Sequence, residues 1–249
     1  MCNIVCKKMI LYKKIVKKFY YLLAQNFLKK EKFIDVINES IKKNNITTGT
    51  ELTDYYYLAK YIKYNNVNKV LELGTGRSTF VIAEALKKYS KNPTLISMES
   101  VKKYHNKQKK IFPNDRYKFC KILYSKRKLF EWSFLRGFGF QKIPSLDYDL
   151  VFVDGPDPNA TPGFYKNNEP ATFCFDFINL ILKNKKSFDV IIDSRMATSF
   201  VAKILFPNKY KYFPHLKLTV IKEVNKKDMT LIQPNMKKFK KFVNNRSIL

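Results

Sequence analysis

The stretch that most constrains this chain is residues 68–79, Asn-Lys-Val-Leu-Glu-Leu-Gly-Thr-Gly-Arg-Ser-Thr. Residues 68–73 read as a short buried strand and Gly74-Thr75-Gly76 as a tight turn. An apolar-periodic helix begins at Ser78-Thr79, carrying Phe80, Val81, Ala83, Ala85 and Leu86. Strand, glycine turn and helix in that order open a βαβ unit. The glycines let the backbone turn sharply and let a ligand come close to the helix N-terminus. A dinucleotide fingerprint would need a third glycine at Thr79, and no lysine is placed for a phosphate-binding P-loop. On this stretch alone, a turn that needs glycine only for its own geometry stays open.

Three later strand ends narrow the reading. Residues 94–99 form a second short strand that ends in Glu99, 23 residues beyond Gly76. A carboxylate at that tip can accept hydrogen bonds from both hydroxyls of a ribose. Residues 148–156, Tyr-Asp-Leu-Val-Phe-Val-Asp-Gly-Pro, are an apolar strand that ends in Asp154 and is broken by Gly-Pro. Asp154 can act as general base on an acceptor hydroxyl, orient it, or hold a divalent metal; equally, it can cap its own turn. Residues 187–195 repeat the pattern, with a strand ending in Asp193 and then Ser194-Arg195. Arg195 is suited to an anionic group on an acceptor.

Glu72-Leu73-Gly74-Thr75-Gly76 resembles motif I of the class I S-adenosylmethionine (SAM)-dependent methyltransferases, and the strand ending in Asp154-Gly155 resembles their motif IV. The resemblance covers about residues 50–233. It implies an α/β fold, a Rossmann-like seven-stranded, mostly parallel sheet flanked by helices. It implies SAM as cofactor, bound by Glu72, Gly74, Thr75, Gly76, Ser78, Thr79 and Glu99, with Asp154 and Asp193 catalytic. It also implies an antiparallel sixth and seventh strand, placed at 216–224 and 229–233. Metal-dependent O-methyltransferases hold Mg²⁺ with acids at these two strand ends, but their usual Asp-Asn pair is Asp193-Ser194 here. The acidic residue many members place near the adenine is replaced by Tyr124-Ser125-Lys126. The expected reaction is in-line transfer to oxygen on a small molecule or glycan. The alternatives are a basic RNA methyltransferase, or a non-catalytic binding or membrane-associated protein that keeps the fold.

The net charge of +28 invites a polyanion partner. Abundant Lys, Asn, Ile, Tyr and Phe with scarce Gly are also what AT-rich coding produces, so charge alone does not decide function. No apolar run approaches the roughly 20 residues needed to span a bilayer. Four cysteines without a C-x-x-C pair suggest neither zinc nor a disulfide framework, so a cytoplasmic location is expected. Residues 1–49 read as a basic amphipathic helical extension and residues 50–249 as the methyltransferase-like domain. The apolar stripe of residues 1–43 is expected to pack on the domain or on a second subunit. Peripheral contact with an anionic membrane, with Cys2 and Cys6 as acylation sites, is the alternative.

The polar joint 44–53 marks the boundary, and a helix at 54–64 follows. Residues 101–130 hold eleven Lys and Arg against one acid and suit either an anionic ligand or a solvated face. His105 reads as a surface residue. Residues 131–145 read as a glycine-bearing flap or connector, 157–163 as a loop shaping the substrate pocket, and 234–249 as an exposed basic tail.

Overall fold

The computed structural model describes residues 2–43, 52–132, 135–155 and 173–230. After two N-terminal helices, α1 (Cys2–Lys30) and α2 (Phe33–Lys43), come α3 (Leu52–Tyr64), β1 (Lys69–Leu73), α4 (Arg77–Tyr89), β2 (Thr94–Glu99), α5 (Lys102–Ile111) and β3 (Cys120–Tyr124). A hairpin of β4 (Arg127–Trp132) and β5 (Leu135–Phe140) precedes β6 (Leu150–Val153), α6 (Asp176–Lys183), β7 (Phe188–Asp193), α7 (Met196–Leu205), β8 (Tyr210–Phe213) and β9 (Leu218–Val224).

Seven strands form one sheet in the order β3-β2-β1-β6-β7-β9-β8. Only β9 runs antiparallel to its neighbours. The central strands are apolar on both faces because helices cover both. Alternate residues feed two cores. Val70, Leu95, Leu150, Phe152 and Ile191 join α1 to α4 on one face. Leu71, Leu73, Val151, Val153 and Ile192 join α6 and α7 on the other.

Helix α1 packs on the first of these faces through Ala24 and Leu28, followed by Phe33, Val36 and Ile37 of α2, all buried. The chain breaks between the two helices at Lys32, where φ is +58°. Glu31 beside it accepts from Lys63 Nζ (2.7 Å), Tyr89 Oη (2.6 Å) and Lys88. Those bonds, that from Lys63 first, hold its carboxyl down at about 2. No helix among the described residues is long and apolar enough to cross a membrane.

Two sequence expectations need correction. The outermost strands are Tyr210–Phe213 and Leu218–Val224, not 216–224 followed by 229–233. Asn225 caps a 3-10 turn at Lys226–Asp228, its side chain accepting from Lys227 N (2.8 Å), so Asn-Lys-Lys-Asp is not a hairpin link. Met229 and Thr230 are not in a strand, and 231–233 lie outside the described residues. The strand at 210–213 was hidden because it is a four-residue edge strand with only partial burial.

Within 131–145 the glycine-bearing segment is strand β5, not a flap. Its glycines make room for the segment above it. A Cβ on Gly137 would sit 2.8 Å from the Phe173 ring, and one on Gly139 would collide with the Asp176 carboxylate. Asp176 is fully buried and accepts from Phe140 N (2.8 Å); burial pushes its carboxyl up to about 7. The loop 157–163, most of the joint at 44–53 and the tail 234–249 lie outside the described residues.

Candidate active site

The site begins at the glycine turn. Gly74 adopts φ +115°, which side chains rarely tolerate, and its N–H donates to Met98 O across the sheet (3.0 Å). The turn lies against the end of β6. A Cβ on Gly155 would fall 2.9 Å from Leu73 O, and one on Gly74 would fall 3.0 Å from Gly155 N. Absence of side chains at both positions is what lets the carboxyl ends of β1 and β6 close on each other.

Beneath the turn, Glu72 has no exposed surface. Its carboxylate accepts from Ser78 Oγ (2.6 Å), Thr79 Oγ1 (2.7 Å) and Ser97 Oγ (2.5 Å). Thr79 Oγ1 also accepts from Gly76 N (3.0 Å). Burial raises the Glu72 carboxyl to about 7 against the pull of these hydroxyls. Glu72, Ser78 and Thr79 are thus committed to one another below the turn, while Gly74, Thr75 and Gly76 keep partly exposed surface above it. From α5, Gln108 Nε2 donates to Gly76 O (2.8 Å) and fixes the turn from the side.

Glu99 ends β2 next to this turn and is 7% exposed. One carboxylate oxygen accepts from Ser100 N (2.7 Å) and Val101 N (2.8 Å), the other from Thr75 Oγ1 (3.1 Å). The backbone bonds lock the first oxygen. The second meets only a partly exposed hydroxyl, so it is the one a ribose could share. Ser125, where an acid near the adenine was absent, instead ties β3 to β2 through Ser125 N to Glu99 O (3.0 Å).

Asp154 and Asp193 stand at the ends of adjacent strands β6 and β7. The Asp154 side chain is about a quarter exposed and that of Arg195 slightly more. Arg195 donates to Asp154 Oδ1 (3.2 Å) and, through Nε (3.1 Å) and Nη2, to its main-chain carbonyl. Burial raises the Asp154 carboxyl to about 8, neighbouring Asp193 adds to the rise, and Arg195 opposes it. Asp193 is nearly buried and accepts from Ser194 Oγ (3.0 Å), with Ser194 itself at φ +50°. An asparagine tolerates that conformation more readily than serine.

Arg195 already donates to Asp154, and among the described residues no group of three or more His, Cys, Asp or Glu is placed to hold a metal. Arg195, expected to face an acceptor, is turned onto Asp154.

Two supporting residues escaped the sequence reading. Gln108 is the one buried residue of α5, set in a run rich in lysines. Ser97 needed only its period-two placement on β2, facing Glu72. The basic residues of α5 form an exposed face, and His105 is half-buried with Nε2 3.3 Å from Ile122 O.

No protein-family model matches the chain, and no curated protein does. Among solved structures it is similar to a Klebsiella pneumoniae protein assigned as an O-methyltransferase, at 12% identity and TM-score 0.50, over 84% of this chain and 99% of that one. An O-methyltransferase from Bacillus cereus in complex with SAH aligns at 11% identity and TM-score 0.47, over 83% and 99%. A Staphylococcus aureus protein assigned as a caffeoyl-CoA O-methyltransferase aligns at 14% and 0.47, over 81% and 99%. With its strand order and the first of these likenesses, the chain has the Rossmann-like fold of the class I methyltransferases.

Proposed function

We propose that the protein is a SAM-dependent methyltransferase that acts on a hydroxyl of a small-molecule acceptor. One observation carries the reading: the Gly74–Gly76 turn, Glu99 and Asp154 converge on the carboxyl edge of the sheet, where open α/β folds bind ligands. The Klebsiella pneumoniae structure it is similar to, described as an O-methyltransferase, agrees with it.

Bound SAM supplies an electrophilic methyl group on a sulfonium. The chain's residues do the rest. The glycine turn, held by Glu72, Thr79 and Gln108, admits the cofactor against bare backbone. Glu99 Oε2 takes the ribose hydroxyls. Asp154, with a carboxyl poised near neutral pH, accepts the acceptor's proton as the oxygen attacks; Arg195 holds it in place. Most of the acceleration then comes from holding donor and acceptor in line.

The test is transfer of a labelled methyl from SAM to a panel of phenols, catechols and other small hydroxylated compounds. Wild type should label at least one, and Asp154→Asn should lose that labelling by about a hundredfold or more. Binding of SAM without labelling of any hydroxyl, but with labelling of amines or RNA, would contradict transfer to oxygen.

A further inference from the structure

Among its described side chains, helix α1 carries two apolar faces, of which one packs on the domain. Tyr20, Ala24, Phe27 and Leu28 face the domain. On the other side Ile15 is 59% exposed, Phe19 58%, Leu22 47% and Leu23 38%. The spacing 15, 19, 22, 23 places these four on one stripe, roughly opposite the packed one at 100° per residue. Because Ala24 and Leu28 are fully buried, the helix cannot roll to hide the outer stripe without giving up its packing. Exposed Lys18 and Lys29 lie along one edge of the stripe and Lys30 lies at its foot.

The direction of the helix adds to this. Its C-terminal end is tied by Glu31 to Lys63, Lys88 and Tyr89. Tyr20 stacks on His215 in the turn between β8 and β9, beside the β7 end that carries Asp193. Eighteen residues of α1, about 27 Å of helix, precede Tyr20. Residues 1–32 hold nine lysines against one acid, Glu31.

We infer that the outer face of α1 seats the protein on an anionic lipid surface, with Phe19, Leu22 and Ile15 entering the headgroup boundary and the lysines meeting lipid phosphates. Aromatic and aliphatic side chains on one face of a lysine-rich helix are the features of an in-plane membrane helix. A second copy fits worse, since pairing two such faces would bring their lysines together. Nucleic acid would satisfy the lysines but leave the apolar stripe in water.

The test uses the full chain, because α1 is part of the core. Wild type and the double variant Phe19→Glu with Leu22→Glu are floated with phosphatidylcholine vesicles, either pure or containing about one third phosphatidylserine. Circular dichroism checks that both are folded. Wild type should float with the anionic vesicles and not the neutral ones, less so as salt is raised, and the double variant should bind about tenfold more weakly or worse. Wild type that stays unbound, or flotation unchanged in the folded variant, overturns the inference. So does a dimer in light scattering that the variant abolishes, or RNA binding that persists in the variant while vesicles are ignored.

Discussion

Arg195 grips Asp154 twice, through the side-chain Oδ1 at 3.2 Å and through the main-chain carbonyl. The guanidinium therefore sets both where the carboxyl stands and how readily it gives up its proton. Arg195→Gln should raise the Asp154 pKa further above about 8, since burial and Asp193 would act unopposed. A base works only when deprotonated, so the acidic limb of kcat/KM should move to higher pH, by about one unit. Arg195→Lys keeps the charge and should restore part of the shift. A pH–rate profile unchanged in Arg195→Gln would remove Asp154 from the role of base.

Gly155→Ala should push apart the ends of β1 and β6, because the new Cβ would meet Leu73 O. A loss of about 1–3 kcal/mol in chemical denaturation is expected, as for overpacking elsewhere. Gly76→Ala has room, its nearest neighbour being Ser78 Oγ at 3.7 Å, and should cost clearly less. Equal losses at the two positions would argue against the close approach.

Glu72 makes stability depend on pH. Folded, it keeps its proton to about 7, while its unperturbed value is 4.5. Between those values the folded state binds more protons than the unfolded one, so this group's contribution falls as pH rises. The ionised form costs about 3 kcal/mol by that shift. Asp154 and Asp176 act in the same direction. Glu72→Gln should therefore show a smaller drop in Tm from pH 5 to pH 8 than wild type. A slope equal to that of wild type would mean that the three hydroxyls keep Glu72 ionised throughout.

Gln108→Leu should leave the fold intact and loosen the glycine turn, since the lost bond is to Gly76 O and not to a core group. The measurable effect is weaker SAM binding, about three- to tenfold, at nearly unchanged Tm. A large fall in Tm with unchanged affinity would make Gln108 purely structural.

Much of the fold was legible because its signals are local. Val-Leu-Glu-Leu-Gly-Thr-Gly and Leu-Val-Phe-Val-Asp-Gly are buried parallel strands ended by residues that cannot continue them. The outer strand Tyr210–Phe213 was missed because edge pairing leaves only a weak alternation in four residues. The hairpin β4–β5 was missed because Gly137 and Gly139 look like loop residues; their reason, the proximity of Phe173 and Asp176, lies more than thirty residues away. In the site, the order of carboxylates could be read, but their partners could not. Nothing in the run Asp193-Ser194-Arg195 says that the arginine folds back onto Asp154 of the neighbouring strand.

The most direct measurement is calorimetric titration of SAM, and of its demethylated product, into wild type and Glu99→Ala. Both ligands should bind wild type, and Glu99→Ala should lose about tenfold or more in affinity while remaining folded, if its carboxylate accepts from the ribose as proposed. A folded wild type that binds neither ligand would contradict the account. The glycine turn would then be scaffold only.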